Sequence, residues 1–189
     1  MRTPWGTAQT RTPLGTGIVQ VTTAGHGGIG LDKARNALVH PAWRNRAGWY
    51  EEDCEWAIVA VTFPNLFSAA QLIAAHRCAQ NWMPDQYERV LRVRLLPAES
   101  GLRQEQIFFR DNANRLLAVA AWGSGQTTGD RERVPDGMVG VVARRGGRRR
   151  DDTDERWFLV PAGEYAQRDR FGFLVDEQRH TEWPVRVMA

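Results

Sequence analysis

The chain has 189 residues, of which 42% are apolar and 25% charged, with a net charge of +3. This is ordinary globular composition and a length that folds without disulfides or metals. No apolar run approaches the ~18 residues of a membrane span and the start of the chain does not lead into a signal-peptide core, so a membrane partner is excluded and a cytoplasmic setting is expected. Lys33 is the sole lysine beside 24 arginines. The isoelectric point near 9.3 therefore reflects groups that do not titrate in this range, and it does not signal a large positive field.

Residues 1–16, with Pro4 and Pro13, read as an irregular arm with Trp5 as an anchor. Gly17–Thr23 (GIVQVTT) is β-branched and predicts a strand, and Gly25-His26-Gly27-Gly28-Ile29-Gly30 predicts a loop, since so many glycines leave the backbone free. Asp32 is the expected cap of a helix through Val39. Pro41 and Gly48 bracket a linker. The acidic stretch Glu51-Glu52-Asp53 opens a buried helix expected over Glu51–Phe63, with a strand at Ala57–Phe63 as the rival, and Pro64 follows its end. Ser68 caps a helix predicted over Ala69–Trp82, where Leu72, Ala75 and Ala79 recur at helical spacing. A short helix is expected over Asp85–Leu91.

The second half changes character. Leu116–Trp122, Met138–Ala143 and Arg156–Val160 predict strands, with Phe171–Val175 as a fourth; Gly123–Gly137 reads as a loop, and Pro161–Arg168 as a turn or two of helix. Helices first and strands afterwards give an α+β class, with a helix-rich N-terminal half packed against a small, mostly antiparallel C-terminal sheet. The reading is one domain over 1–189, with a seam near 97–104.

Residue scarcity excludes several chemistries. There is no Gly-Lys-Ser or Gly-Lys-Thr for a Walker-A loop. Of the serines at 68, 100 and 124, only Ser124 lies between glycines, and Trp122 spoils the spacing of a nucleophile elbow. Cys54 and Cys78 form neither a CxxC pair nor a disulfide framework. Gly25, Gly27 and Gly30 match G-x-G-x-x-G, but His40–Tyr50 is too rich in Pro, Asn, Arg and Gly for the second parallel strand of a dinucleotide fold.

The candidates that survive are local. Amides of Gly25, Gly27 and Gly28 are candidates for an anion nest, with a plain glycine turn as the bland alternative. His26, held among glycines, is free to approach a ligand, and imidazole titrates near neutrality, which suits proton transfer. Glu51, Glu52 and Asp53 are candidate orienting or general-base carboxylates for it, although acids in a first helical turn need no function. No HExxH or equivalent spacing occurs, so neither a metal nor a cofactor is expected. Arg148, Arg149 and Arg150, in the run Arg144–Arg150, are candidate phosphate contacts, but the acids that follow argue for a hairpin loop pairing its own charges.

TPWG near the start, then GIVQVTTAGHGGIGL, WYEEDCEWAIVAVTFP, VPDGMVGVVARRGG and RWFLVPAGEY, in this order, resemble an uncharacterised domain family carried on bacterial plasmids, integrated elements and phages. The resemblance covers nearly the whole chain. It implies an accessory protein of a mobile genetic element and brings no established catalytic residue. The expected function is therefore binding of a protein or nucleic-acid partner. The alternative is a small hydrolase or transferase using His26 with a carboxylate from Glu51–Asp53.

Overall fold

Alternation with a period of two organises the N-terminal part of the chain. The computed structural model describes residues 1–147 and 155–185. Strands β1 (Arg2–Thr3) and β2 (Gly6–Thr7) make a short hairpin with Trp5 in its turn. Then β3 (Thr10–Gly15), β4 (Ile18–Thr22), β5 (Gly27–Leu31) and β6 (Trp49–Glu51) form an antiparallel sheet in the order β3-β4-β5-β6. The expected helix-rich N-terminal half is thus corrected: this half carries six strands, although the α+β class holds. The arm expected over 1–16 is strand and hairpin, and the loop expected at the glycines is strand from Gly27 onward.

The glycines belong to a strand because they alternate. Ile29 pairs with Tyr50 and both side chains are buried in a cluster with Ile18, Val39 and Ala57–Ala60. Gly28 and Gly30 therefore face the other way. There, two rows of register partners cross the sheet: Pro13, Val19, Gly30 and Trp49 in one, and Arg11, Val21, Gly28 and Glu51 in the next. A Cβ at Gly28 would lie 2.3 Å from Trp5 Cη2, and one at Gly30 would lie 2.6 Å from Trp49 Cζ3. The two indoles meet edge to face, with centroids 5.8 Å apart. Glycine here makes room for tryptophan, and none of Gly25, Gly27, Gly28 and Gly30 needs a positive φ.

Helix α1 (Lys33–Leu38) is capped as predicted, since Asp32 Oδ1 accepts the Arg35 N–H at 2.7 Å. The helix expected from Glu51 begins later, as α2 (Trp56–Thr62). Trp49–Glu51 pairs with β5 instead, and residues 52–55 turn the chain, so the acids do not sit in a helical first turn. Helix α3 (Ala69–Trp82) has the predicted bounds and a reciprocal capping box between Ser68 and Gln71. Helix α4 is Pro84–Leu91. Helix α5 (Gly101–Asp111), not foreseen, starts at buried Ser100. The Ser100 hydroxyl donates to the Asn81 carbonyl and accepts the Arg103 N–H, each at 3.3 Å, while Gly101 N–H donates to Asn81 Oδ1 at 2.6 Å.

The chain divides into two units, residues 1–104 and 105–189. In the second, β7 (Leu116–Trp122), β8 (Met138–Arg145), β9 (Arg156–Pro161), β10 (Leu174–Val175) and β11 (Thr181–Glu182) form an antiparallel sheet in the order β10-β7-β8-β9-β11. Only Leu174–Val175 of the strand expected over Phe171–Val175 forms. Helix α6 spans Ala162–Ala166. One face of the sheet buries Leu116, Val141, Phe158 and Val160. Trp183 covers Gly140 and meets Trp122 and Trp157, with the Arg131 guanidinium 4.8 Å from the Trp157 ring centroid. His180 is buried; its Nδ1 accepts the Asp176 N–H at 3.0 Å, and its Nε2 faces Glu164 Oε2 at 3.3 Å.

Candidate functional site

The strand pair β5–β6 brings His26 and the acidic stretch together. Register places Gly28 opposite Glu51, and the Glu52 N–H donates to the Gly27 carbonyl at 3.1 Å. His26 precedes β5 in a turn tied to Thr23, whose N–H donates to the His26 carbonyl at 2.7 Å. The Thr23 hydroxyl donates to the same carbonyl at 2.8 Å and accepts the His26 N–H at 3.2 Å. The backbone at position 26 is thereby fixed while its ring stays in solvent.

His26 Nδ1 lies 3.8 Å from Glu51 Oε1, with the two side chains 60% and 24% exposed. That distance is too long for a direct hydrogen bond. One ligand atom each from His26, Glu51 and Glu52 falls within 4.8 Å of the others. Glu51 Oε2 accepts the Asp53 N–H at 2.8 Å, whereas its Oε1 is buried and accepts nothing. The Glu52 carboxylate rests on Gly27, where a Cβ would come 2.2 Å from Oε2. Asp53 contributes its backbone to Glu51 and is not part of the three-residue group. His26, Glu51 and Glu52 are thus adjacent.

The expected anion nest meets a different geometry. Gly27 and Gly28 lie in a strand with neighbours on both sides, so their amides are aligned with the sheet ladder and do not converge on one point. Only Gly25 remains in the turn. Arg148, Arg149 and Arg150 lie outside the described residues. Burial, then the charges of Glu51, Glu55 and Asp53, pushes the Cys54 thiol above its ordinary range, which disfavours a thiolate nucleophile.

A second feature lies on the same sheet face. A groove of about 440 Å³ runs beside Trp49, over Val19 and Gly30, with Pro13 and Arg11 along one flank and Asp32 at the far end. Sequence reading missed it, because the groove depends on cross-strand register and on Gly30 being bare. Its signal was present in the alternation Gly28-Ile29-Gly30.

No helix among the described residues is long and apolar enough to cross a membrane. No curated protein and no solved structure matches the chain. Residues 1–113 match the family described as a domain of unknown function, DUF7007. That span takes in both β-sheet rows, the His26 group and the groove, and on it the chain belongs to the DUF7007 family.

Proposed function

We propose that the protein is an accessory protein of a mobile genetic element, working in the cytoplasm, and that it acts by binding a protein partner through the groove beside Trp49. The mobile-element setting rests on the motif resemblance. The binding reading is carried by one observation: a groove of about 440 Å³ on a sheet face, walled by an indole and flanked by the Arg11 guanidinium. That volume falls within the ~300–1,000 Å³ of ligand clefts.

The occupant that fits is an extended apolar segment carrying an acidic side chain. Its apolar side chains lie over Val19 and Pro13 against Trp49, and its carboxylate meets Arg11. Asp32 at the other end disfavours a run of phosphates. Arg144, Arg156 and Arg179 are each paired with a carboxylate, which also favours a protein over a nucleic acid.

Selection of random peptides displayed on phage against the intact chain tests this. The expected result is a short apolar–acidic consensus whose synthetic peptide loses at least about tenfold in affinity, roughly 1.4 kcal/mol, on Arg11→Glu or Val19→Lys. No consensus, or equal binding by both variants, overturns it. Salt-sensitive binding of duplex DNA with no peptide consensus favours the nucleic-acid partner.

The 3.8 Å approach of His26 to Glu51 supports a second reading, a small hydrolase or transferase with His26 as the proton carrier and Glu51 orienting it. Turnover of chromogenic esters or phosphate esters that is lost in both His26→Ala and Glu51→Gln supports it. Absence of turnover across the panel removes it.

A further inference from the structure

We propose that His26, Glu51 and Glu52 form a binding site for a first-row divalent transition-metal ion of the zinc class. The site is independent of the groove and holds whether or not a peptide binds there.

Three observations converge. The donor set is mixed: one imidazole nitrogen and two carboxylates reach within 4.8 Å of one another at the adjacent ends of two strands paired in register, His26 just before β5 and Glu51 and Glu52 at and just after the end of β6. A metal 2.0–2.2 Å from each donor in a tetrahedral arrangement holds its donors about 3.3–3.6 Å apart. The 3.8 Å between His26 Nδ1 and Glu51 Oε1 already approaches that spacing, and the exposed His26 ring and Glu52 carboxylate are free to rotate toward the half-buried Glu51. The second observation is Glu51 Oε1 itself, which is buried and accepts no hydrogen bond while Oε2 is committed to the Asp53 N–H. A carboxylate oxygen shut away from water needs a partner, and this one faces the imidazole.

The third is charge. Two carboxylates are gathered around one imidazole, and among the described residues neither forms an ion pair with an arginine or lysine. Gly27 is what admits Glu52, because any side chain there would meet its carboxylate. A divalent cation neutralises the pair. Imidazole beside carboxylate selects zinc-class ions over magnesium and calcium, which prefer oxygen alone. Three protein donors on an exposed surface leave coordination positions open to water, as in sites that bind or activate a ligand and unlike closed four-ligand structural sites.

Calorimetric titration of the intact, metal-stripped chain with Zn²⁺ tests the assignment, followed by the visible spectrum with Co²⁺ in place of Zn²⁺. The expected result is one strong equivalent. Glu51→Gln, Glu52→Gln and His26→Gln each weaken it by at least about tenfold, the loss that even an outer partner of a metal ligand causes, and Asp53→Asn leaves it unchanged. The Glu52→Gln change is on an exposed side chain and keeps the fold intact, which far-UV circular dichroism checks. Absence of binding below ~1 mM Zn²⁺ overturns the proposal. So does binding that the three substitutions leave untouched, which is adventitious binding elsewhere, and so does equal binding of Mg²⁺.

Discussion

Trp49 and Gly30 are register partners across β5 and β6, and the indole occupies the space a side chain at position 30 would need, with Cζ3 2.6 Å from the position of a Cβ. Trp5, from the β1–β2 turn, covers Gly28 in a similar way, with Cη2 2.3 Å from the position of a Cβ. Two tryptophans thus lie on two bare positions of one strand, and the groove opens beside Trp49.

Replacing either glycine by alanine forces an indole off its strand. Gly28→Ala and Gly30→Ala are each expected to destabilise the chain by ~1–3 kcal/mol, the usual range for overpacking, with Gly28→Ala the worse because the Tyr50 carbonyl also blocks the methyl at 2.4 Å. Gly25→Ala, with nothing within 4 Å, is expected to stay within ~0.5 kcal/mol. Urea unfolding of the three variants checks this ordering.

The same pair shows how far the sequence could be read. Caps were legible because they are local: Asp32 and Ser68 each satisfy an amide three residues on. The long helix over Ala69–Trp82 was legible from its period. The glycine stretch was not, because G-x-G-x-x-G and a Gly-Ile-Gly strand are the same letters. What separates them is which ring lies on the glycine, and those rings come from Trp5 and Trp49. The start of β6 was hidden for a related reason: three residues, Trp49–Glu51, pair with β5 and offer too short a pattern to read. Helix α5 has an equally local cap, Ser100 accepting the Arg103 amide three residues on, and went unread; only the Asn81 side chain that takes the Gly101 amide, from another helix, was beyond a local pattern. Glu51, Glu52 and Asp53 were expected alike as carboxylates for His26, and only the geometry singles out Glu51 and Glu52 as the two whose oxygens group with the imidazole.

Alkaline pH is expected to weaken the fold through Tyr50. Burial raises its phenol above the ordinary value, Glu55 adds to this, and the Asn45 amide and Arg44 oppose it. As pH rises past ~10, unfolded chains lose this proton first, so the native state binds more protons and stability falls with pH. The stabilisation is complete below ~10 and is lost as pH climbs through the raised native value. Denaturation between about pH 8 and pH 10.5 checks this. Tyr50→Phe is expected to flatten the slope while lowering stability near neutrality by ~1–3 kcal/mol, because Asn36 Oδ1 and the Asn45 N–H lose the hydroxyl that bonds them at 2.6 and 3.2 Å.

Two histidines are expected to separate structural from surface roles. His180→Ala leaves the Asp176 N–H and Glu164 without their buried partner and is expected to cost ~1–3 kcal/mol. His26→Ala removes an exposed ring and is expected to stay within ~0.5 kcal/mol. Thermal unfolding of the two variants side by side reads the difference. A large loss from His26→Ala would assign that ring to the fold and not to a site.

The groove beside Trp49 is most directly tested by a two-dimensional ¹H–¹⁵N NMR titration of the intact chain with the peptide selected on it. Shifts are expected to concentrate at Val19, Gly30, Leu31 and the Trp49 indole N–H, and Arg11→Glu to suppress them. Shifts centred on β7–β9 instead, or a spectrum that does not move at saturating peptide, would contradict it.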